Sequence, residues 1–230
     1  MLAGLPKASL PKSFQNGRYL VRQLLGKGSS GSVYEVLDQE LREESIALKV
    51  LHPHLLSDPS TLERFRVQVL LARQLSHPNI VQVHDFDRDD EGNHFITMEL
   101  VDGVSLSTLF RNRKSAVIPF DEILEILSDT AAALAHAHHL GIIHRDLKPS
   151  NLLVSHEGVV KLSDFGLAKG LEYSFGLTQT GELLGSPAYT APEQFRGEQI
   201  DARADVYSFG MVAYELISGK PAFEGGSYLE

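Results

Sequence analysis

Residues 24–36 read LLGKGSSGSVYEV, and Gly26, Gly28 and Gly31 fall at the spacing G-x-G-x-x-G, which two unrelated nucleotide-binding folds share. The residues after Gly31 decide between them. A dinucleotide-binding fingerprint needs its glycines to open a helix, with an acidic residue about 20 positions further on. Here residues 32–38, SVYEVLD, alternate like a strand. A Walker A loop, G-x-x-x-x-G-K-[ST], also nearly fits from Gly26 to Gly31, but Ser32 stands where the phosphate-binding lysine must be. The remaining reading is a glycine hairpin between two strands, whose missing side chains let backbone N–H groups approach phosphates.

Working outward, RYLVRQLLG, GSVYEVLD and ESIALKV read as short strands up to about residue 50. Pro59–Leu75 carries Leu62, Phe65, Val69 and Ala72 at helical spacing and is closed by Ser76-His77-Pro78. NIVQVHDF and HFITMEL are two more strand-like runs, joined by the polar loop DRDDEGN. Ile123, Leu127, Ala131 and Leu134 mark an amphipathic helix over Asp121–Leu140, ended by Gly141. A further helix runs from Ala202 to Ser218, before Gly219. Strands come first and helices afterwards, so the fold class is α+β with two lobes and not alternating βαβ units. The expected division is a flexible tail over 1–17, an N-terminal lobe over 18–101 and a C-terminal lobe over 102–230.

With 230 residues, 43% of them hydrophobic, the chain can bury a substantial core. Lys and Arg number 21 against 30 Asp and Glu, and the formal charge of -9 argues against a nucleic-acid partner. The absence of cysteine removes disulfides, thiolate metal sites and cysteine nucleophiles together. Lys7, Lys12, Pro6 and Pro11 interrupt the N-terminus where a signal peptide needs an apolar run, and no stretch is apolar enough to span a membrane. The expected location is the cytoplasm, for this chain or for a longer one of which it is the cytosolic part.

Further motifs come after the hairpin in order: Ala47-Leu48-Lys49 on the third strand, HRDLKPSN over 144–151 after the long helix, Asp164-Phe165-Gly166, and Ala191-Pro192-Glu193. On these, and on HPNIV, GSPAYTAPEQ and ADVYSFG, the chain resembles the eukaryotic-type protein kinases, most of all the serine/threonine kinases of bacteria, over about residues 18–225. The resemblance implies a two-lobed kinase-like fold, ATP and Mg²⁺ as ligands, and protein Ser/Thr hydroxyls as acceptors.

Roles carried over from the family have physical reasons. A transferring phosphoryl group is strongly anionic, so catalysis is mostly positioning and cationic stabilisation. By resemblance Lys49 reaches the α- and β-phosphates, Asn151 and Asp164 hold Mg²⁺, Asp146 accepts or orients the acceptor proton, and Lys148 balances charge on the γ-phosphate. Lys148 also favours Ser/Thr acceptors over tyrosine. Gly26, Gly28 and Gly31 would cover the phosphates. Val33, Ala47 and Leu153 would flank the adenine, Met98 precedes the hinge, and backbone groups of Glu99 and Val101 would bond the adenine edge.

Two clusters invite other readings. His136, His138 and His139 in AHAHHLG suggest a metal site, but without an acidic ligand at suitable spacing they read as structural histidines. DRDDEGN mimics a Ca²⁺ loop from Asp87, yet Met98 occupies the position of the bidentate Glu, so it reads as a solvated hairpin. For control, Arg145 resembles the arginine that pairs with a phosphate on the loop before Glu193, and Thr178 and Thr180 resemble an autophosphorylation pair, which implies self-association. Ser174, Ser186 and Thr190 lie on the same loop.

Two departures from the family set the alternative. Gln68 stands nine residues before His77, where the family has the glutamate that pairs with the strand lysine. The family also continues through further helices and ties Glu193 with a late arginine, whereas no arginine comes after Arg203 here, so the C-terminal lobe is expected to be incomplete and Glu193 uncompensated. Gln68 and the missing helices support a second reading, a pseudokinase or truncated ATP-binding scaffold with little turnover.

Overall fold

The structure is a computed structural model that describes residues 11–112, 118–165 and 187–223. Strands β1 (Ser13–Phe14), β2 (Tyr19–Gly28), β3 (Gly31–Asp38), β4 (Glu44–Leu51), β5 (Val83–Arg88) and β6 (His94–Met98) form one sheet in the order β1-β2-β3-β4-β6-β5. Antiparallel register sets Val33 opposite Lys49 and Ala47 opposite Met98. Directly opposed residues share a face, and so do residues two apart. One face therefore carries Val33, Ala47, Lys49 and Met98. The other buries Tyr19, Val36, Ile46, Leu48 and Phe95, with the Tyr19 and Phe95 rings edge to face at 5.6 Å.

The expectation of a loose tail over 1–17 gives way at its C-terminal end. Ser13 pairs with Leu20 and Phe14 with Tyr19. Gln15 Nε2 donates to Asp87 and the Asn16 amide to Asp90, each at 2.6 Å. Local polarity concealed this strand, because its partners lie across the sheet. Residues 1–10 are outside the described residues. In the loop that mimics a Ca²⁺ site, Asp87 and Asp90 are thus spent on Gln15 and Asn16, and Asp89 turns inward, accepting from the Asn93 amide at 2.7 Å and from Asn93 Nδ2 at 3.0 Å.

Helix α1 (Pro59–Ala72) starts at Asp58, whose carboxylate accepts from Ser60 Oγ, Thr61 N and Thr61 Oγ1. These bonds, the Ser60 hydroxyl first, hold the Asp58 carboxyl down to about 2. The helix buries Phe65, Val69 and Ala72.

Two compact units result, 1–55 with 84–100 and 56–83 with 101–230. The sequence reading draws α1 into the first lobe, but it groups with the second. Leu71 and Leu75 explain why, since both join the second unit's core.

That core is built on α3 (Phe120–His139), through Ile123, Ile126, Ala133, Leu134 and Ala137. It also contains Leu106 of α2 (Leu106–Asn112) and Val212 and Leu216 of the last helix. A small sheet the sequence reading passes over, β7 (Gly103–Ser105), β8 (Leu152–Ser155) and β9 (Val160–Leu162), adds Leu152, Val160 and Leu162. Its tight contact needs Gly103, where a Cβ would lie 2.1 Å from the Val154 carbonyl oxygen. After the short α4 (Pro192–Phe195), Asp201 caps α5 (Ala202–Ser218) by accepting from the Arg203 amide, and Gly219 ends it at φ +73°.

Candidate active site

The turn between β2 and β3 is two residues long, Ser29 and Ser30, with Gly28 paired to Gly31. The three glycines differ in what the fold asks of them. A Cβ on Gly31 would sit 2.0 Å from the Val50 carbonyl oxygen, so strand packing alone demands glycine there. Around Gly26 a Cβ would meet nothing within 4 Å, and at Gly28 only the Gly31 carbonyl at 4.0 Å. Packing among the described residues therefore does not require glycine at Gly26 or Gly28. Ala47 and Lys49 on the adjoining β4, and Met98 opposite Ala47 on β6, are all buried. Glu99 and Val101, just beyond β6, are half-buried.

In the second unit the segment 144–151 folds as a loop tied to itself and to β9. Asp146 is its centre. Lys148 Nζ lies 2.8 Å from Asp146 Oδ2, and Asn151 Nδ2 donates to both the Asp146 carbonyl and Oδ2, at 2.8 and 3.2 Å. The β8–β9 hairpin pairs Leu152 with Leu162, which brings Asn151 beside Ser163. The Ser163 amide donates to the Asn151 carbonyl at 2.9 Å, and Asp164 is the next residue. One short hairpin thus places Asp146, Asn151 and Asp164 at a common end.

The backbone there is held in unusual conformations. Arg145 and Asp164 adopt φ of +70° and +64°, which non-glycine residues keep only where surrounding bonds impose it. For Arg145 those bonds are visible on both sides, since its N–H donates to Asp205 Oδ1 at 2.8 Å and its carbonyl accepts from Gln194 Nε2 at 2.9 Å. His144, fully buried, accepts at Nδ1 from the Asp146 amide at 3.2 Å, which leaves Nε2 to donate to the Ser163 carbonyl at 2.8 Å. Its ring meets that of Phe165 at 66°, with the centroids 4.7 Å apart.

Asp205 suspends the whole loop. Wholly buried at the start of α5, it accepts from the amides of His144 and Arg145 and contacts His138 Nε2 at 2.7 Å. Burial alone would raise its carboxyl; the bonds from His138, His144 and Arg145 outweigh it and leave the pKa below the ordinary range.

The histidine cluster divides accordingly. His138 serves Asp205, while the His136 ring meets His77 at 5.1 Å. Among the described residues no group of three or more His, Cys, Asp or Glu is placed to hold a metal ion.

Lys49, Val33 and Ala47 are brought onto one face of the first unit, and Asp146, Lys148, Asn151, Leu153 and Asp164 belong to the second. Gly166, Ser174, Thr178, Thr180 and Ser186 lie outside the described residues. Glu193 is half-buried, where the sequence reading puts it in the lobe interior. Sequence reasoning gave no role to Asp205 or Gln194, and read His138 as structural without naming its partner. Asp205 sits in the stretch ADVYSFG, but its partners lie about 60 residues upstream, a separation no local pattern reports.

No helix among the described residues is long and apolar enough to cross a membrane. The family model of the protein kinase domain matches residues 19–229. The serine/threonine-protein kinase PknA of Mycobacterium tuberculosis is 38% identical over 218 residues, covering 93% of this chain and 50% of that protein. PknB of Mycolicibacterium smegmatis is 41% identical over 214 residues, with 91% and 34% covered. The chain therefore spans half or less of the length of these curated relatives. Among solved structures, the PknI kinase domain of M. tuberculosis superposes with a TM-score of 0.77 at 32% identity, covering 96% of this chain and 82% of that one. A glycine hairpin, a lysine-bearing strand and a carboxylate loop hung from a buried aspartate thus agree with the comparisons, and the chain belongs to the protein kinase domain family.

Proposed function

We propose that this chain transfers the γ-phosphoryl group of ATP to Ser/Thr hydroxyls of proteins. The observation that carries the reading is Asp146, whose carboxylate is held by Lys148 and Asn151 yet stays 36% exposed on its side chain. An oxygen so fixed is poised to accept or orient a hydroxyl proton, and Lys148 beside it supplies positive charge for the phosphate. Lys49, buried beside Val33 and Ala47, presents an ammonium suited to the other phosphates.

Asn151 and Asp164 suit Mg²⁺, a hard ion that takes few protein oxygens. The Asn151 amide donates through Nδ2, which leaves Oδ1 as the atom fit for a cation. When bound, the ion would screen the phosphate charge.

Gln68 favours a second reading, a nucleotide-binding scaffold with little turnover. It stands on α1 three residues after buried Phe65 and four before buried Ala72. Incubation with labelled ATP, Mg²⁺ and a generic Ser/Thr protein acceptor separates the two. Transfer by the wild type that Asp146→Asn abolishes supports the kinase. Tight Mg-ATP binding without any transfer supports the scaffold. Thr178 and Thr180 are the proposed autophosphorylation sites, and phosphopeptide mapping of the same reaction tests them together with the self-association they require.

A further inference from the structure

We infer that His52 is a positioning residue for the glycine hairpin, holding its tip in the form that receives phosphates; this rests on the kinase reading above. The hairpin needs outside support. Three of its residues are glycines, which lose the most conformational freedom on ordering, and the β2–β3 ladder is irregular between Val21 and Gln23 and again between Leu24 and Gly26.

His52, the residue after β4, reaches the tip twice. Its backbone N–H donates to the Ser30 carbonyl at 3.1 Å, and its ring Nε2 lies 3.2 Å from the Gly28 carbonyl. Each bond fixes one peptide plane of the turn. Because a peptide is planar and trans, tying the Gly28 carbonyl to His52 aims the Ser29 N–H the opposite way, away from the histidine. The ring therefore orients a backbone donor that it never touches. His54 stacks on the same ring at 5.6 Å and 15°, which limits its rotation.

A carbonyl only accepts, so Nε2 must carry a proton. Both the imidazolium and the neutral Nε2–H form do so, and the tie does not require a charged ring. Glutamine can place an amide N–H at a similar reach; leucine keeps volume and loses the donor.

Steady-state transfer and amide hydrogen exchange on wild type, His52→Leu and His52→Gln test the inference. His52→Leu should raise KM for ATP about fivefold, the loss of one hydrogen bond, with kcat changed less than twofold, and should speed exchange at residues 28–31. His52→Gln should restore most of both. Equal KM and exchange in wild type and His52→Leu, or equal impairment in His52→Leu and His52→Gln, would overturn it. If the wild type binds no Mg-ATP, the kinase reading fails separately, and the exchange pattern across the three proteins still decides whether His52 holds the hairpin.

Discussion

His138 Nε2 lies 2.7 Å from Asp205 Oδ2, joining the end of α3 to the start of α5 across 67 residues of sequence. The same carboxylate takes the amides of His144 and Arg145, so one buried side chain fixes both the helix pair and the loop that carries Asp146. Asp205→Ala would leave these donors without their acceptor in the interior. Breaking such a buried charged network costs about 3–5 kcal/mol. Urea unfolding should show that loss, together with the disappearance of phosphoryl transfer.

A pH dependence arises from the same group. The folded pKa of Asp205 is depressed, so its contribution to stability is fully present above the ordinary aspartate value near 4. It is lost as the pH falls through the lower folded value, when protonation removes the charge that holds the loop. Unfolding free energies measured from pH 7 down through pH 3 should decline, and Asp205→Asn should make the decline shallower. Identical slopes for the two proteins would remove Asp205 from the explanation.

The glycines offer a contrast within one motif. Gly31→Ala forces a Cβ against the Val50 backbone, which cannot swing aside as a side chain would, and overpacking of this kind destabilises by about 1–3 kcal/mol. Gly26→Ala meets open space at an ordinary φ, so the fold should persist while KM for ATP rises. Thermal unfolding beside nucleotide titration separates the two effects.

These cases mark how far the sequence could be read. Hydrophobic periodicity gave α3 and α5, because each buries one continuous stripe, and local alternation with glycine punctuation marked the runs that became β2 to β6, but not their order in the sheet, where β6 lies beside β4. The resemblance to the kinase family, carried by its motifs, named Asp146, Asn151 and Asp164. Periodicity could not deliver the contacts fixed by tertiary packing: the two-residue β1, the short β7–β9 sheet, and the convergence of His138, His144 and Arg145 on Asp205. The membership of α1 was equally hidden, since it turns on where Leu71 and Leu75 are buried and not on the helix pattern itself.

Asp164 carries a backbone strain that guides the choice of substitution. At φ +64° asparagine is among the best-tolerated residues after glycine, so Asp164→Asn keeps the conformation while removing the charge a hard cation needs. Transfer should fall below detection with the melting temperature little changed. Wild-type transfer rates in Asp164→Asn would dismiss its assignment as a metal ligand.

Gln68 separates the proposed kinase from the scaffold reading. A glutamine oxygen still accepts a hydrogen bond from a lysine, but charge-assisted bonds are about twice as strong, so the neutral partner forgoes about 1–2 kcal/mol. That difference corresponds to about a 5- to 30-fold smaller population of the assembled site. It weakens a kinase without silencing one. Gln68 is half-buried on the α1 face that includes Phe65 and Ala72, so a glutamate of the same length fits the position with little repacking. Gln68→Glu should therefore raise phosphoryl transfer about tenfold, inside that range, and leave ATP affinity nearly unchanged, because Lys49 is present in both proteins. Calorimetric titration of Mg-ATP beside a transfer assay reads both quantities at once. If both proteins bind Mg-ATP and neither transfers phosphate, turnover is limited elsewhere and the scaffold reading takes the place of the kinase.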